Sequence, residues 1–322
     1  MWNTFQGAFS FCRKSISNVP VPRQWMIEIT NRCNLRCAMC SRHTVAFKQS
    51  DMPLSFFQRL IDRAGGIEGI WPYGFGEPML HPDLWKMVAY AKSRRMTVSL
   101  STNATLLRGS AVDEMLKSGL DYLILAVDGA TRDVYEANRK DAAFSSVRKN
   151  IETFLELKVA RKAPIHVTLQ MIRLRNNAHE ATRFRKMWRR PGVDCIRIRE
   201  DLSIASVEKR PHAPCFFLWR GPLFVQAAGT ILPCPYYHGA APFGDLHSQN
   251  PEAAWNSARM QALRTAHVKG DLSAFPLCQQ CPRYKPHPAI AALSFAASTS
   301  AVRKYLPWLE RLQQLTPWTI VQ

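Results

Sequence analysis

The sequence predicts an α/β fold built on parallel strands, and three observations carry that reading. Residues 25–200 repeat one rhythm of short apolar strand, loop and amphipathic helix, which joins parallel strands by helical crossovers into an open sheet or a partial barrel. The helices have readable ends: Ser110 is placed to cap a helix that Gly119 closes, and Asp83 to cap one running through Arg95. Beyond residue 200 the chain changes character and becomes Pro-punctuated and cysteine-bearing.

Taken in order, the candidate strands are Trp25–Thr30, Ile67–Gly74, Met96–Ser101, Tyr122–Asp128, Ile165–Arg173 and Asp194–Arg199. Several alternate rather than reading as continuous apolar runs, the usual form of a parallel strand buried on both faces. Met96, Val98 and Leu100 oppose Thr97, Ser99 and Ser101; Ile165, Val167, Leu169 and Met171 oppose His166, Thr168 and Gln170; Ile196 and Ile198 oppose Cys195, Arg197 and Arg199. With the apolar sets against helices, the polar sets line the interior. A barrel filled with branched aliphatics has no such lining, so a cavity for a polar ligand is expected. A hairpin follows at Phe224–Pro233, turning through Ala-Ala-Gly. The tail from Pro286 is rich in Ala, Ser and Pro, and Pro307 to Leu315 reads as a short amphipathic helix.

At 322 residues, 47% hydrophobic and 21% charged, the chain can bury a full core, which excludes a disordered or disulfide-miniprotein class. No apolar run approaches the roughly 20 residues needed to span a bilayer, and Met1 to Ser10 lacks the pattern of a signal peptide. The expected compartment is the cytosol. The net charge is +19, and Arg161 to Arg220 holds 14 basic against 5 acidic residues. Such a surface steers anionic partners, but charge alone does not make a nucleic-acid binder, and none is expected as partner.

Nine cysteines without a secretory signal argue against a disulfide framework. Cys33, Cys37 and Cys40 follow the first strand, at the carboxyl end where parallel α/β folds place their chemistry. Three thiolates within eight residues can wrap one side of an iron–sulfur cubane and leave one iron open to chelate a small molecule. The rival is a zinc site completed by His43, but the three-then-two gap fits paired zinc knuckles poorly. Cys215, Cys234, Cys278 and Cys281 form a second group, which suits a fully ligated [4Fe–4S] cluster or a structural zinc site equally well on spacing. Cys12 and Cys195 remain; Cys195 reads as a buried small hydrophobe, with a thiol hydrogen donor as the alternative.

Cys33-x₃-Cys37-x₂-Cys40 after a first strand resembles the cluster motif of the radical S-adenosylmethionine superfamily, and further segments follow in order. Tyr73-Gly-Phe-Gly76-Glu77-Pro78 is similar to its "GGEP" segment, Ser101-Thr-Asn103-Ala-Thr to "STNG", and Val127-Asp128-Gly129 to "LDG"; Arg139 falls where many relatives place an Arg towards the methionine carboxylate. The resemblance covers residues 22 to 285. It implies a partial (β/α)6 barrel with a small C-terminal iron–sulfur extension of the one-cluster SPASM/twitch type. The implied division is a leader at 1–24, the barrel at 25–200, the auxiliary-cluster region at 201–285 and a tail at 286–322. Met39, Ala126 and Phe75 depart from the usual aromatic, Ser and Gly of the family.

The implied cofactors are two [4Fe–4S] clusters, one binding S-adenosylmethionine and one auxiliary, and S-adenosylmethionine itself. The implied cofactor contacts are Gly76, Glu77, Ser101, Asn103, Asp128 and Arg139. The implied chemistry is cleavage of S-adenosylmethionine to a 5′-deoxyadenosyl radical that takes hydrogen from substrate, fed by a donor such as flavodoxin or ferredoxin. The second cluster then serves electron transfer or support. Arg197 and Arg199, on the inward parity, are candidate substrate contacts, with an ion pair to Glu200 or Asp201 as the plainer reading. Three functions stay open at this point: oxidation or epimerisation of a carbohydrate-like small molecule, maturation of a peptide, or a zinc protein that binds nucleic acid.

Overall fold

A computed structural model of the chain describes residues 2–44, 48–200, 214–237 and 241–281. The tail from residue 286, with the stretch 307–315, lies outside the described residues, as does Asp201. Strands β1 (Gln24–Ile27), β2 (Gly69–Trp71), β3 (Thr97–Thr102), β4 (Tyr122–Ala126), β5 (His166–Arg173) and β6 (Cys195–Glu200) pair in parallel in the order β6-β5-β4-β3-β2-β1. Between them run α2 (Leu54–Arg63), α3 (Leu84–Ser93), α4 (Ser110–Lys117), α5 (Arg132–Asn138) with α6 (Phe144–Ala160), and α7 (Ala181–Trp188), after an N-terminal α1 (Trp2–Cys12). This is the partial barrel of six strand–helix units.

The strand register bears out the parity argument. Leu100, Leu123 and Val167 lie in one row and Thr102, Leu125, Leu169 and Ile196 in the next; of these, the five leucine and valine side chains are fully buried beneath the helices. Burial of such a side chain contributes roughly 1.5–3 kcal/mol, so a one-residue slip of any strand would forfeit the whole row. The opposite rows, Ser101–Ile124–Thr168–Cys195 and Ala126–Gln170–Arg197, face the interior.

Three local readings are corrected. Ser110 is not a cap: Gly109, at φ 57°, takes that position, which a glycine adopts without strain, and Ser110 is the first helical residue. Asp83 is the N-cap of α3, but its side chain binds Lys86 rather than the helix N–H groups. The first strand leaves the ladder at Ile27 rather than Thr30, because the Met52 N–H donates to the Ile29 carbonyl and Thr30 bridges to Asp51.

The hairpin comprises β7 (Leu223–Val225) and β8 (Thr230–Leu232), turned at Gly229 with φ 81°. Nothing in the sequence pattern announces its place. β7 pairs in parallel with β1, and β8 with β9 (Gly244–Asp245) in antiparallel, so one nine-stranded sheet runs from the barrel into the C-terminal region. Helices α8 (Phe217–Arg220), α9 (Pro251–Trp255), α10 (Ala258–Lys269) and α11 (Pro276–Gln279) complete that region. The N-terminal segment is stitched to it. Trp219 Nε1 donates to the Ser15 carbonyl at 2.8 Å, Asn256 clasps both backbone groups of Val19, and buried Arg264 donates to the carbonyls of Ile16, Leu218 and Trp255.

Candidate functional site

The cysteine loop is irregular backbone, and its neighbours supply the hydrogen bonds it does not make itself. Ala38 N–H donates to the Asn138 carbonyl at 2.9 Å and Arg36 N–H to that of Lys140 at 3.2 Å, which ties the loop to the end of α5. On the other side Glu77 N–H donates to the Arg32 carbonyl at 2.8 Å. Arg32 itself grips Asp51 with Nε at 2.9 Å and an Nη at 2.6 Å. Gly76 has to be glycine: a Cβ there would lie 2.2 Å from the Thr30 carbonyl oxygen and 2.7 Å from that of Arg32.

Cys33, Cys37 and Cys40 are half-buried and lie within electrostatic reach of one another. Burial pushes the Cys33 thiol above its ordinary value and Cys37 up to about 11, although Arg139 draws Cys37 back. A metal centre that took the thiolates would offset this rise. A zinc site needs its sulfurs about 2.3 Å from one point. Among the described residues no three His, Cys, Asp or Glu side chains are placed to hold a single ion. Three thiols spread along one loop fit a multi-iron cluster, in which each binds a different metal.

Glu77 sits beside this loop, 3% exposed. Its Oε1 accepts from Thr102 Oγ1 at 2.7 Å and Met79 N–H at 3.1 Å, and its Oε2 from Asn103 N–H at 2.8 Å. Burial raises the carboxyl pKa, and these donors pull against that rise. Asn103 in turn donates to Asn34 Oδ1 at 3.0 Å, and Asn34 to Thr105, so the end of β3 is wired to the cysteine loop. Ser101 lies on the interior face of β3, half-buried. Thr102 escapes sequence reasoning, because its parity assigns it to the helix side; the strand end lets its hydroxyl reach Glu77.

Asp128 and Arg139, separate signals in the sequence, form one unit. Arg139 donates to Asp128 Oδ2 from Nε at 2.7 Å and from an Nη at 2.6 Å, while Asp128 Oδ1 accepts the Ile172 N–H at 2.7 Å. Burial works against the guanidinium charge, yet Asp128 and Cys37 hold its pKa above the ordinary value. Asp128 thus aims Arg139 at the cysteine loop. The Asp128 backbone carbonyl accepts from Asn138 and Asn177, which fixes this corner.

Arg197 stands opposite Gln170 and Arg199 opposite Ile172 on the interior rows. In a flat sheet β2 and β6 would lie about 19 Å apart at the usual strand spacing. The Tyr73 hydroxyl, just after β2, nevertheless feels both arginines: burial pushes it up to about 12, and Arg197 and Arg199 pull it down. The sheet therefore curls until the arginines face the loop after β2 across the interior. Cys195 lies buried at the amino end of β6, far along the strand from the loops.

In the C-terminal region each cysteine opens or closes a tight turn. Leu218 N–H donates to the Cys215 carbonyl, Tyr237 N–H to that of Cys234, and Cys281 N–H to that of Cys278. Tyr237 is buried between segments and feels the charge of both Cys278 and Cys234, so those two thiols from distant segments share one neighbourhood. Cys215 N–H donates to His267 Nδ1 at 3.4 Å. A second residue that sequence reasoning passes over joins the two regions. Glu28, 2% exposed, accepts from Phe75 N–H at 2.9 Å and Ala227 N–H at 3.3 Å. An acidic residue inside a strand whose Trp25, Ile27 and Ile29 alternate with it is the available signal.

Comparison with known proteins agrees with this arrangement. The family model described as the Radical SAM superfamily matches residues 27–181, and the SPASM iron–sulfur cluster-binding domain matches 215–282. A cofactor-modifying protein of tungsten-containing aldehyde ferredoxin oxidoreductase from Pyrococcus furiosus is 35% identical over 105 residues, 32% of this chain and 30% of that protein. The chain spans less than half the length of the first curated relatives it matches. Among solved structures, BtrN in complex with AdoMet and 2-DOIA is similar at TM-score 0.55 and 16% identity, covering 82% of this chain and 94% of its own. SuiB of Streptococcus suis bound to precursor peptide SuiA is similar at TM-score 0.64 and 12% identity, covering 88% and 79%. At these identities the likeness is one of fold.

Proposed function

The chain belongs to the radical SAM superfamily, and on that premise we propose that it oxidises or epimerises a polar, carbohydrate-like small molecule held inside the partial barrel. Cys33, Cys37 and Cys40 hold one [4Fe–4S] cluster in this reading, and Cys215, Cys234, Cys278 and Cys281 hold a second. When bound, the first cluster and S-adenosylmethionine would supply reductive C–S cleavage and, through it, removal of a hydrogen atom from substrate. The chain's own residues then bind, orient and shield.

Glu77 meets the ammonium group of the cofactor and Arg139, aimed by Asp128, its carboxylate. Gly76 lets backbone approach closely, and Asn103 and Ser101 border the same space. Arg197 and Arg199 hold substrate on the far wall. The buried setting of Glu77 and Arg139 excludes water, which strengthens each of these charge-assisted contacts.

The observation that carries the reading is the interior ladder, where Ser101, Thr168, Gln170 and Arg197 alternate with Ile124 and Ala126 in place of the unbroken aliphatic layers of a filled barrel. A peptide substrate is the second reading, since SuiB, of the same fold, is bound to precursor peptide SuiA. The basic surface favours an acidic one-electron donor such as flavodoxin or ferredoxin, and the thiol-rich chain suits a reducing compartment such as the cytosol. The test is a screen of deuterated cyclitols, sugars and peptides against the anaerobically reconstituted protein. Deuterium in 5′-deoxyadenosine from a cyclitol or sugar supports the first reading. Label arriving only from a peptide replaces it.

A further inference from the structure

Tyr135 sits on α5 one turn before Arg139, the residue that caps this helix, and the Arg139 N–H donates to the Tyr135 carbonyl at 2.7 Å. That end of α5 is held against the cysteine loop, because the carbonyls of Asn138 and Lys140 accept the Ala38 and Arg36 N–H groups. The residue is fully buried, its ring 5.1 Å from that of Phe144. Its backbone is pressed against Gly129, where a Cβ would lie 2.6 Å from Tyr135 N. Its hydroxyl is also buried and has no hydrogen-bond partner among the described residues.

Native proteins leave few buried polar atoms unpaired, and each such atom needs a reason. Phenylalanine would fill the same space without stranding an oxygen. The groups whose charge the phenol feels are Arg139, Asp128, Cys37 and Glu136. Arg139 can only donate. Asp128 is held by Arg139 and the Ile172 N–H and accepts nothing from the phenol. Glu136 is turned to Arg132 and the Phe144 N–H. No described residue accepts from the hydroxyl, so the acceptor this corner would supply is a sulfide of the group that the cysteine loop would hold.

We propose that Tyr135 donates its O–H to an inorganic sulfide of the cluster held by Cys33, Cys37 and Cys40, and so raises that cluster's reduction potential. The assignment rests on the proposed function, in which these cysteines hold a cluster. A donor at sulfur withdraws charge from the cluster and stabilises the reduced, more negative state. The phenol is thus a tuning contact.

Tyr135→Phe in the full, anaerobically reconstituted chain tests this through the midpoint potential of the cluster before S-adenosylmethionine is added. The expected result is a more negative potential, with the reduced fraction falling about tenfold at fixed poise, which for one electron is 59 mV. Iron content should hold, since phenylalanine keeps the ring packing against Phe144. An unmoved potential overturns the assignment, including the case in which binding of S-adenosylmethionine weakens instead. Should the Phe variant fail to load, the wild-type protein in deuterium oxide decides: an exchangeable proton coupled to the reduced cluster is expected, and its absence overturns the proposal. A wild-type protein that forms no iron–sulfur spectrum at all sinks the proposed function itself, which is a distinguishable outcome.

Discussion

Cys33, Cys37 and Cys40 share a single loop, whereas Cys215, Cys234 and the pair Cys278 and Cys281 arrive from three separate segments. The first group needs only its loop to be held, and it is held twice, by Asn138 and Lys140 on one side and through Arg32 by Glu77 on the other. The second group exists only once the hairpin has paired with β1, α10 has brought His267 to Cys215, and α11 has closed over Tyr237. A site assembled from distant segments loses loop-closure entropy that a single loop never spends. In the proposed reading, metal there would be coupled to folding more strongly than at the first site.

The largest expected effect separates the two groups outright. Cys37→Ala should abolish 5′-deoxyadenosine formation with dithionite while about half of the iron, that of the C-terminal group, stays bound. Retained cleavage at the parent rate would remove the loop from the chemistry.

Cys281→Ala should do the converse, losing about half of the iron and net substrate turnover but keeping 5′-deoxyadenosine formation. Its melting transition should broaden or split as the C-terminal region loses the metal that ties it together. Full iron content with full turnover would break the contrast between the two groups.

Next in size, Glu77→Ala should weaken S-adenosylmethionine binding by roughly 10- to 150-fold, the equivalent of the 1.5–3 kcal/mol typical of a hydrogen bond to a charged group. Calorimetric titration reads this, and an unchanged dissociation constant excludes Glu77 from the site.

The smallest effect probes the joint between the regions. Glu28→Gln keeps the shape but turns an amide NH₂ towards one of two N–H donors, Phe75 or Ala227, and should cost about 1–3 kcal/mol of stability in denaturant titrations. The pH dependence has a definite sign. Burial raises the Glu28 pKa above 4.5, against its two N–H donors and the charge of Arg42. The native state therefore keeps this proton to higher pH than the unfolded chain does, and its contribution is fully present below pH 4.5. That contribution is lost as pH rises towards the raised value. Glu28→Gln should flatten this part of the stability profile, and an unaltered slope would show that Glu28 does not titrate there.

How much is legible follows the range of each signal. Alternation along Met96–Ser101 and Ile165–Arg173 is local, with a period of two, and it suffices to place the buried rows and the polar interior. Cysteine spacing is local too, and so is the Gly-Glu-Pro turn. Helix caps are less legible: at Gly109 the backbone conformation outweighs the side chain of Ser110 as a capping signal.

The sequence by itself determined the α/β class, the interior and exterior of the strands, and the loop of three thiols, because each is written in residues a few positions apart. Only the tertiary structure decided that β7 lies beside β1, that Asp128 holds Arg139, that Glu28 binds the Phe75 and Ala227 N–H groups, and that the Tyr135 hydroxyl is buried without a partner among the described residues. Those facts depend on which surfaces meet when helices and sheet close over one another. The partners of Glu28 are 47 and 199 positions away. No pattern of neighbouring residues encodes a contact at that distance; it is selected when a buried carboxylate must find donors and the folded backbone supplies those two.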